Sequence, residues 1–198
     1  MAKLFANLYD TVMGPLEKRW IASVRKKIIF KTQGQVLEIG AGTGINFPFY
    51  SKQKVDRLTV IEPNQYMIEQ ARRKAQSFHG PIDFHQGVAE SLPFADEQFD
   101  TVVATLVLCS VNDPRKVFQE IRRVCKKGGR ILLFEHVRVA SSSLAALQDF
   151  LTPVWRRICD GCSLNRDTSR YMRESGIHVI REKKYLKGIF VELEGINQ

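Results

Sequence analysis

Val36-Leu-Glu-Ile-Gly-Ala-Gly-Thr-Gly44 is the stretch around which the rest of the chain is read. Val36 to Ile39 have the composition of a buried strand carrying one acid, Glu38, and they run directly into glycines at alternate positions, Gly40, Gly42 and Gly44. A glycine has no Cβ, so a backbone there can turn sharply and let a ligand lie against the main chain. A strand, such a turn and the start of a helix are how α/β folds build a nucleotide site at the carboxyl ends of their strands.

Moving outward, Asn46–Tyr50 reads as a short helix with Pro48 in its first turn. Leu58–Ile61 is a second strand ending on Glu62-Pro63, and Asn64 is placed to cap a helix over Gln65–Ser77. Ile82–Phe84 starts a third strand. Phe99–Val107 is a near-continuous apolar run, as expected of a parallel strand buried on both faces. Pro114–Cys125 is helical and is ended by Gly128-Gly129; Arg130–Phe134 is a fifth strand closing on Glu135-His136. Ser141–Met172 is a mostly helical insertion, broken near Pro153 and at Asp160-Gly161, and His178–Tyr185 with Ile189–Leu193 form a hairpin. The pattern predicts an α/β fold with a doubly wound sheet of about seven strands, mostly parallel with an antiparallel C-terminal hairpin strand, and helices on both faces.

A chain of 198 residues is expected to be one domain with a full core. Its parts are an N-terminal amphipathic cap (1–31), a core (34–136), the insertion (141–172) and the hairpin (177–194). No apolar run is long enough to span a bilayer and no signal-peptide pattern opens the chain, so a cytoplasmic location is the default expectation. The net charge of +9 suits either an anionic partner or a basic soluble enzyme. From Lys3 to Lys31 there are seven Lys or Arg, with Leu16, Trp20, Val24 and Ile28 at i+4 spacing, Ile21 widening the stripe, and Lys18, Arg19, Arg25 and Lys26 largely opposite. Two readings follow: a helix packed on the domain, or a peripheral element at an anionic membrane surface or over the substrate.

The glycine spacing excludes the dinucleotide fingerprint G-x-G-x-x-G, whose third glycine would fall at Ile45. Glu62 lies 18 positions beyond Gly44, at the end of the second strand, where an acid accepts hydrogen bonds from ribose hydroxyls. Glu38 needs a partner for a charge inside a strand, and a cationic ligand would supply it. These residues, with Gly87-Val-Ala-Glu90-Ser-Leu-Pro-Phe94, Phe99-Asp-Thr-Val-Val103 and Lys127-Gly-Gly129, resemble the class I S-adenosylmethionine-dependent methyltransferases, most closely the branch with ubiquinone/menaquinone C-methyltransferases. The resemblance implies a Rossmann-like fold, S-adenosyl-L-methionine as cofactor and S-adenosyl-L-homocysteine as product. It places Gly40, Ala41, Gly42 and Gly44 along the methionine part and Glu62-Pro63 at the ribose. Val88 and Ala89 would flank the adenine, and Thr105 and Leu106 the sulfonium end. Val88 departs from the family, which often has Asp there to bind the adenine amino group; Glu90 or a backbone carbonyl is the expected substitute.

Two further segments bear on the acceptor. Thr105–Ser110, Glu135-His136 and Asp160–Arg166 resemble membrane-associated thiol S-methyltransferases. Leu8-Tyr-Asp10 with Gly14-Pro15 and the basic helix is similar to bacterial phosphatidylethanolamine N-methyltransferases. The expected function is methyl transfer to a small-molecule or lipid-like acceptor, with phospholipid N-methylation, thiol S-methylation and a non-catalytic binding module as alternatives.

A general base is needed only where the acceptor loses a proton. His136, at the end of the fifth strand, titrates in the right range; Tyr9 and Asp160 are the other catalytic candidates, weighed against structural roles. Cys159-Asp-Gly-Cys162 has CxxC spacing, but a zinc site would want a second ligand pair, and no second CxxC or HxxxH is present. No metal is therefore expected. Thr105-Leu-Val-Leu108 replaces the Asn/Asp-Pro-Pro-aromatic run of nucleic-acid amino-methyltransferases, and the aromatics do not interleave with the basic runs, so nucleic acid is not the expected partner.

Overall fold

The computed structural model describes residues 20–159 and 161–198. Tyr9, Asp10, Asp160 and the Gly14-Pro15 division lie outside the described residues. Helix α1 (Ala22–Ile29) leads into β1 (Gly34–Ile39), a 3-10 turn (Phe47–Phe49), β2 (Val55–Glu62), α2 (Gln65–Lys74) and β3 (Ile82–Gln86). Then follow β4 (Phe99–Thr105), α3 (Pro114–Val124), β5 (Cys125–His136), α4 (Ser142–Ile158), α5 (Thr168–Glu174), β6 (His178–Tyr185) and β7 (Phe190–Ile196).

The strands form one seven-stranded sheet in the order β3-β2-β1-β4-β5-β7-β6. The ladders are parallel from β3 through β5, while β7 runs antiparallel to both β5 and β6. The chain steps outward from β1 to β3 and then returns to place β4 on the other side of β1. That reversal is a topological switch point, and it opens a crevice at the carboxyl ends of β1 and β4. The glycine loop leaves β1 on this edge.

Alternation along the strands divides the core between the two faces. Leu37 and Ile39 of β1 pack with Val102, Ala104, Ile131 and Leu133 and with Val117, Phe118, Ile121 and Val124 of α3. Val36 faces the other way, with Val103, Leu132, Phe134 and the α1 residues Ile21, Val24, Ile28 and Ile29. Glu38 shares the parity of Val36 and so points beneath α1. Helix α3 begins at Asp113, whose carboxylate accepts from Arg115 N (3.0 Å) and Lys116 N (3.3 Å), with Pro114 in its first turn. Asn64 caps α2 through Tyr66 N and Met67 N, as its position predicts.

Three local expectations are corrected. Cys125 opens β5 instead of closing α3, because helix and strand meet with no loop between them. The fourth strand stops at Thr105, where Leu106 turns left-handed (φ 59°) and donates its N–H to Phe134 O at 2.7 Å. Helix α4 continues through Pro153. Proline deprives the Asp149 carbonyl of a helical partner, but this stretch is exposed and solvent can satisfy it.

Helix α1 is an integral part of the domain from Trp20 onward. Trp20 packs against Phe134, Tyr185 and Phe190, from β5, β6 and β7. Lys31 ties its exit to β7 through Glu192 (3.1 Å) and Glu194 (2.8 Å). Arg25, expected on the solvated face, is instead 2% exposed. It stands one helical repeat from both Ile21 and Ile29 and therefore lies on the buried stripe.

Candidate active site

The glycine loop is built by hydrogen bonds to β2. Gly40 N and Ala41 N donate to Ile61 O (2.8 and 3.4 Å), and Gly44 N closes a turn onto Ala41 O (2.9 Å). All three glycines have positive φ, at 65°, 55° and 78°. Their surroundings differ. A Cβ on Gly40 would fall 2.4 Å from Val107 Cγ2, and one on Gly44 2.5 Å from Phe47 Cε2, whereas one on Gly42 would meet nothing within 4 Å. Gly40 and Gly44 are required by packing; Gly42 faces open space, which suits a ligand lying along the main chain.

Glu62 stands at the end of β2 with its carboxylate turned to this loop. It accepts from Gly42 N (3.1 Å) and Asn64 N (3.0 Å), so both oxygens are fixed before any ligand arrives. Pro63, next in the chain, is exposed, and its carbonyl accepts from Gln86 Nε2 (3.2 Å). Gly87 N donates to Glu62 O (3.3 Å), which brings the end of β3 alongside. Here Val88 is exposed and Ala89 is buried beneath it. Glu90 Oε1 accepts from Asn112 N (2.7 Å) and Asp113 N (3.3 Å), bracing the entry to α3. An open glycine face, a fixed acid and an exposed apolar side chain in sequence fit an extended nucleoside-bearing ligand.

Glu38 finds its partners within the chain, contrary to the expectation of a cationic ligand. It accepts from Asn46 Nδ2 (2.7 Å) and Tyr50 Oη (2.9 Å), with the Arg25 charge close by. Burial raises its pKa to about 7 against the opposing pull of these groups. Thr105 belongs to the same buried network, since its hydroxyl accepts from Asn46 Nδ2 (2.9 Å) and from Arg25 Nη1. Its side chain is thus committed beneath the loop. The network ties α1, β1, the 3-10 turn and β4 together under the crevice, a role for Arg25, Asn46 and Tyr50 that nothing in the linear sequence signalled.

Beside the crevice, β5 carries Glu135 and His136 to the same sheet edge. Glu135 is fully buried; its Oε1 accepts from Val107 N (2.8 Å) and Leu108 N (3.0 Å), which fixes the loop after β4. Burial raises its pKa to about 7, with those two N–H groups opposing. His136 Nε2 lies 2.8 Å from Cys162 Sγ, which is 3.6 Å from Cys109 Sγ. The hydrogen bond between Cys109 and Cys162 draws the Cys162 thiol well below its usual range; burial opposes this, and His136 assists it. The His136 imidazole is raised: burial pulls it down, but Cys162 outweighs that. Cys162 arrives from the insertion because Ser163 N donates to Cys109 O (2.8 Å) and Arg166 Nη2 to Val111 O (2.8 Å). The CxxC spacing pointed to Cys159 as its companion; the fold pairs it with Cys109 and His136.

Comparison with known proteins agrees with this geometry. A methyltransferase domain model matches residues 37–133. Thiol S-methyltransferase TMT1B of Homo sapiens is 35% identical over 181 residues, covering 85% of this chain and 73% of that one. Phosphatidylethanolamine N-methyltransferase of Cereibacter sphaeroides is 38% identical over 120 residues, covering 60% of this chain and 58% of that one. Among solved structures, a SAM-dependent methyltransferase of Thermotoga maritima superimposes with a TM-score of 0.72 at 22% identity, covering 99% of this chain and 97% of that one. With the glycine loop, the acid at the end of β2 and the sheet order all in place, the chain belongs to the class I S-adenosylmethionine-dependent methyltransferases.

Proposed function

We propose that this methyltransferase acts on the sulfur of a small apolar thiol. The observation that carries the reading is the convergence of His136, Cys162 and Cys109 at the carboxyl edge of the sheet, the edge on which the glycine loop leaves β1. S-adenosylmethionine, when bound, supplies a methyl group activated on a sulfonium. The chain's own residues have three tasks. Gly42 and Glu62 hold the donor, with Val88 and Ala89 beside its base. Leu106 and Val107, fixed by Phe134 O and Glu135, wall the crevice and help exclude water. The His136–Cys162–Cys109 cluster meets the acceptor thiol, whose proton leaves to solvent as it becomes a nucleophile. The similarity to TMT1B supports the acceptor class.

The test is an acceptor screen with labelled donor over alkyl thiols, phosphatidylethanolamine and quinol precursors. Thiols are expected to be labelled, and His136→Gln to lose at least tenfold in rate while still binding S-adenosylhomocysteine. Labelling of amine or quinol acceptors alone would refute the thiol reading.

A second observation bears on how the acceptor is delivered. Leu144, Leu147, Phe150, Leu151, Val154 and Trp155 of α4 are all exposed, Phe150 by 79%. They recur at helical spacing, and Arg156 and Arg157 follow in the last turn. Such a face suits peripheral contact with an anionic membrane, and so delivery of an apolar acceptor of either kind. No helix among the described residues is long and apolar enough to cross a membrane.

A further inference from the structure

We infer that Cys109, His136 and Cys162 form a site for one soft divalent cation of the zinc type, whose open fourth position receives the sulfur of the acceptor. The inference rests on the thiol reading above only for that fourth ligand; the metal site stands on its own geometry.

The three side chains come from three separate parts of the chain, the loop after β4, the end of β5 and the insertion. Their ligand atoms nevertheless lie within 4.8 Å of one another. Zn–S bonds of about 2.3 Å and Zn–N bonds of about 2.0 Å, arranged tetrahedrally, need S–S edges of roughly 3.8 Å and N–S edges of roughly 3.5 Å. The Cys109–Cys162 separation of 3.6 Å nearly meets the first. The His136–Cys162 separation of 2.8 Å is short of the second, and a small swing of the imidazole supplies the difference.

Charge argues in the same direction. Two thiols lie at one imidazole, and the fully buried Glu135 precedes it on β5. Among the described residues, His136 Nδ1 and Glu135 Oε2 are buried with no hydrogen-bond partner. Buried polar groups are normally satisfied, and an unpaired one is costly. A dication ligated by Nε2 and two thiolates would balance the two thiolate charges and leave Nδ1 protonated as a donor. Soft sulfur and imidazole ligands select zinc over the hard cations, and three protein ligands with one vacancy are the pattern of catalytic zinc sites. On metal binding Cys109 and the His136–Cys162 pair release one proton each to solvent, and an acceptor thiol that coordinates releases a third. The methyl acceptor would then be a metal-held thiolate.

The test uses the full chain, purified with a phosphine reductant and titrated with Co2+. One equivalent is expected to bind, with thiolate-to-cobalt charge-transfer absorption and the visible bands of a tetrahedral ion. Cys162→Ser should weaken binding at least tenfold, whereas Cys159→Ser, outside the cluster, should leave it unchanged. Butanethiol should then perturb the visible bands, confirming the open position. Absence of charge-transfer absorption, or equal losses in the Cys159 and Cys162 variants, would overturn the site. So would a Cys109–Cys162 disulfide persisting under the reductant in mass spectra of metal-free protein. Butanethiol methylation by metal-free enzyme would remove the metal while sparing the proposed function. Cobalt binding with no response to butanethiol would overturn the fourth-ligand assignment.

Discussion

Replacing Gly42 by alanine separates what the glycine loop does for the fold from what it does for a ligand. The added Cβ meets no atom within 4 Å, so no packing is disturbed. The cost is that of a left-handed backbone at φ 55° with a side chain, about 1–2 kcal/mol. In a domain of this size each kcal/mol corresponds to a fall in Tm of roughly 2–4 °C. Gly44→Ala is the contrast, because its Cβ would sit 2.5 Å from the ring of Phe47, which is fully buried. Backbone strain and overpacking then add, and the loss should reach several kcal/mol. Thermal unfolding reads the first quantity, and calorimetric titration with S-adenosylhomocysteine the second. Gly42→Ala should remain folded with a small Tm shift yet bind the ligand at least tenfold more weakly, because its methyl group would fill the open space proposed for the ligand. Unchanged affinity in a folded Gly42→Ala protein would show that the ligand does not run along the loop.

Other outcomes follow from the same structure. Glu62→Gln keeps an acceptor but loses the charge proposed to meet the ribose hydroxyls; affinity for S-adenosylhomocysteine should fall by at least tenfold with Tm little changed, measured by the same titration. Glu38 has a folded pKa of about 7 against an ordinary value of 4.5, so the native state holds its proton more tightly than the unfolded chain. Its contribution is fully present below pH 4.5 and is lost as pH rises to about 7, a loss of roughly 3 kcal/mol. Denaturant unfolding of Glu38→Gln across that window should therefore show a flatter decline than the wild type; identical pH slopes would count against a buried, proton-holding Glu38. Phe150→Ser with Trp155→Ser should reduce sedimentation with anionic liposomes at low salt without changing S-adenosylhomocysteine binding, and wild-type protein that stays in the supernatant would remove the membrane contact.

The glycine turn and the acid that faces it were readable in the linear sequence because they are local. Strand, glycine turn and following acid are spaced by a β–α unit, and each step carries a signature: alternate glycines at Gly40, Gly42 and Gly44, an acid closing the strand at Glu62, and capping residues such as Asn64. The alternation of apolar runs then implied the parallel sheet and the antiparallel hairpin. Tertiary structure decided everything that depends on distant parts of the chain meeting. Arg25 looks like a surface charge until the sheet is beneath it, where it joins Thr105 and Asn46. Glu38 seemed to await a ligand, yet Asn46 and Tyr50 reach it from the turn beyond the glycines. Cys162 had a sequence neighbour in Cys159, and its true companions lie 53 and 26 residues away. Spacing along a chain reports contacts within one element or one turn. A site assembled at a sheet edge is set by strand order and by how an insertion folds back, and neither leaves a periodic trace in the sequence.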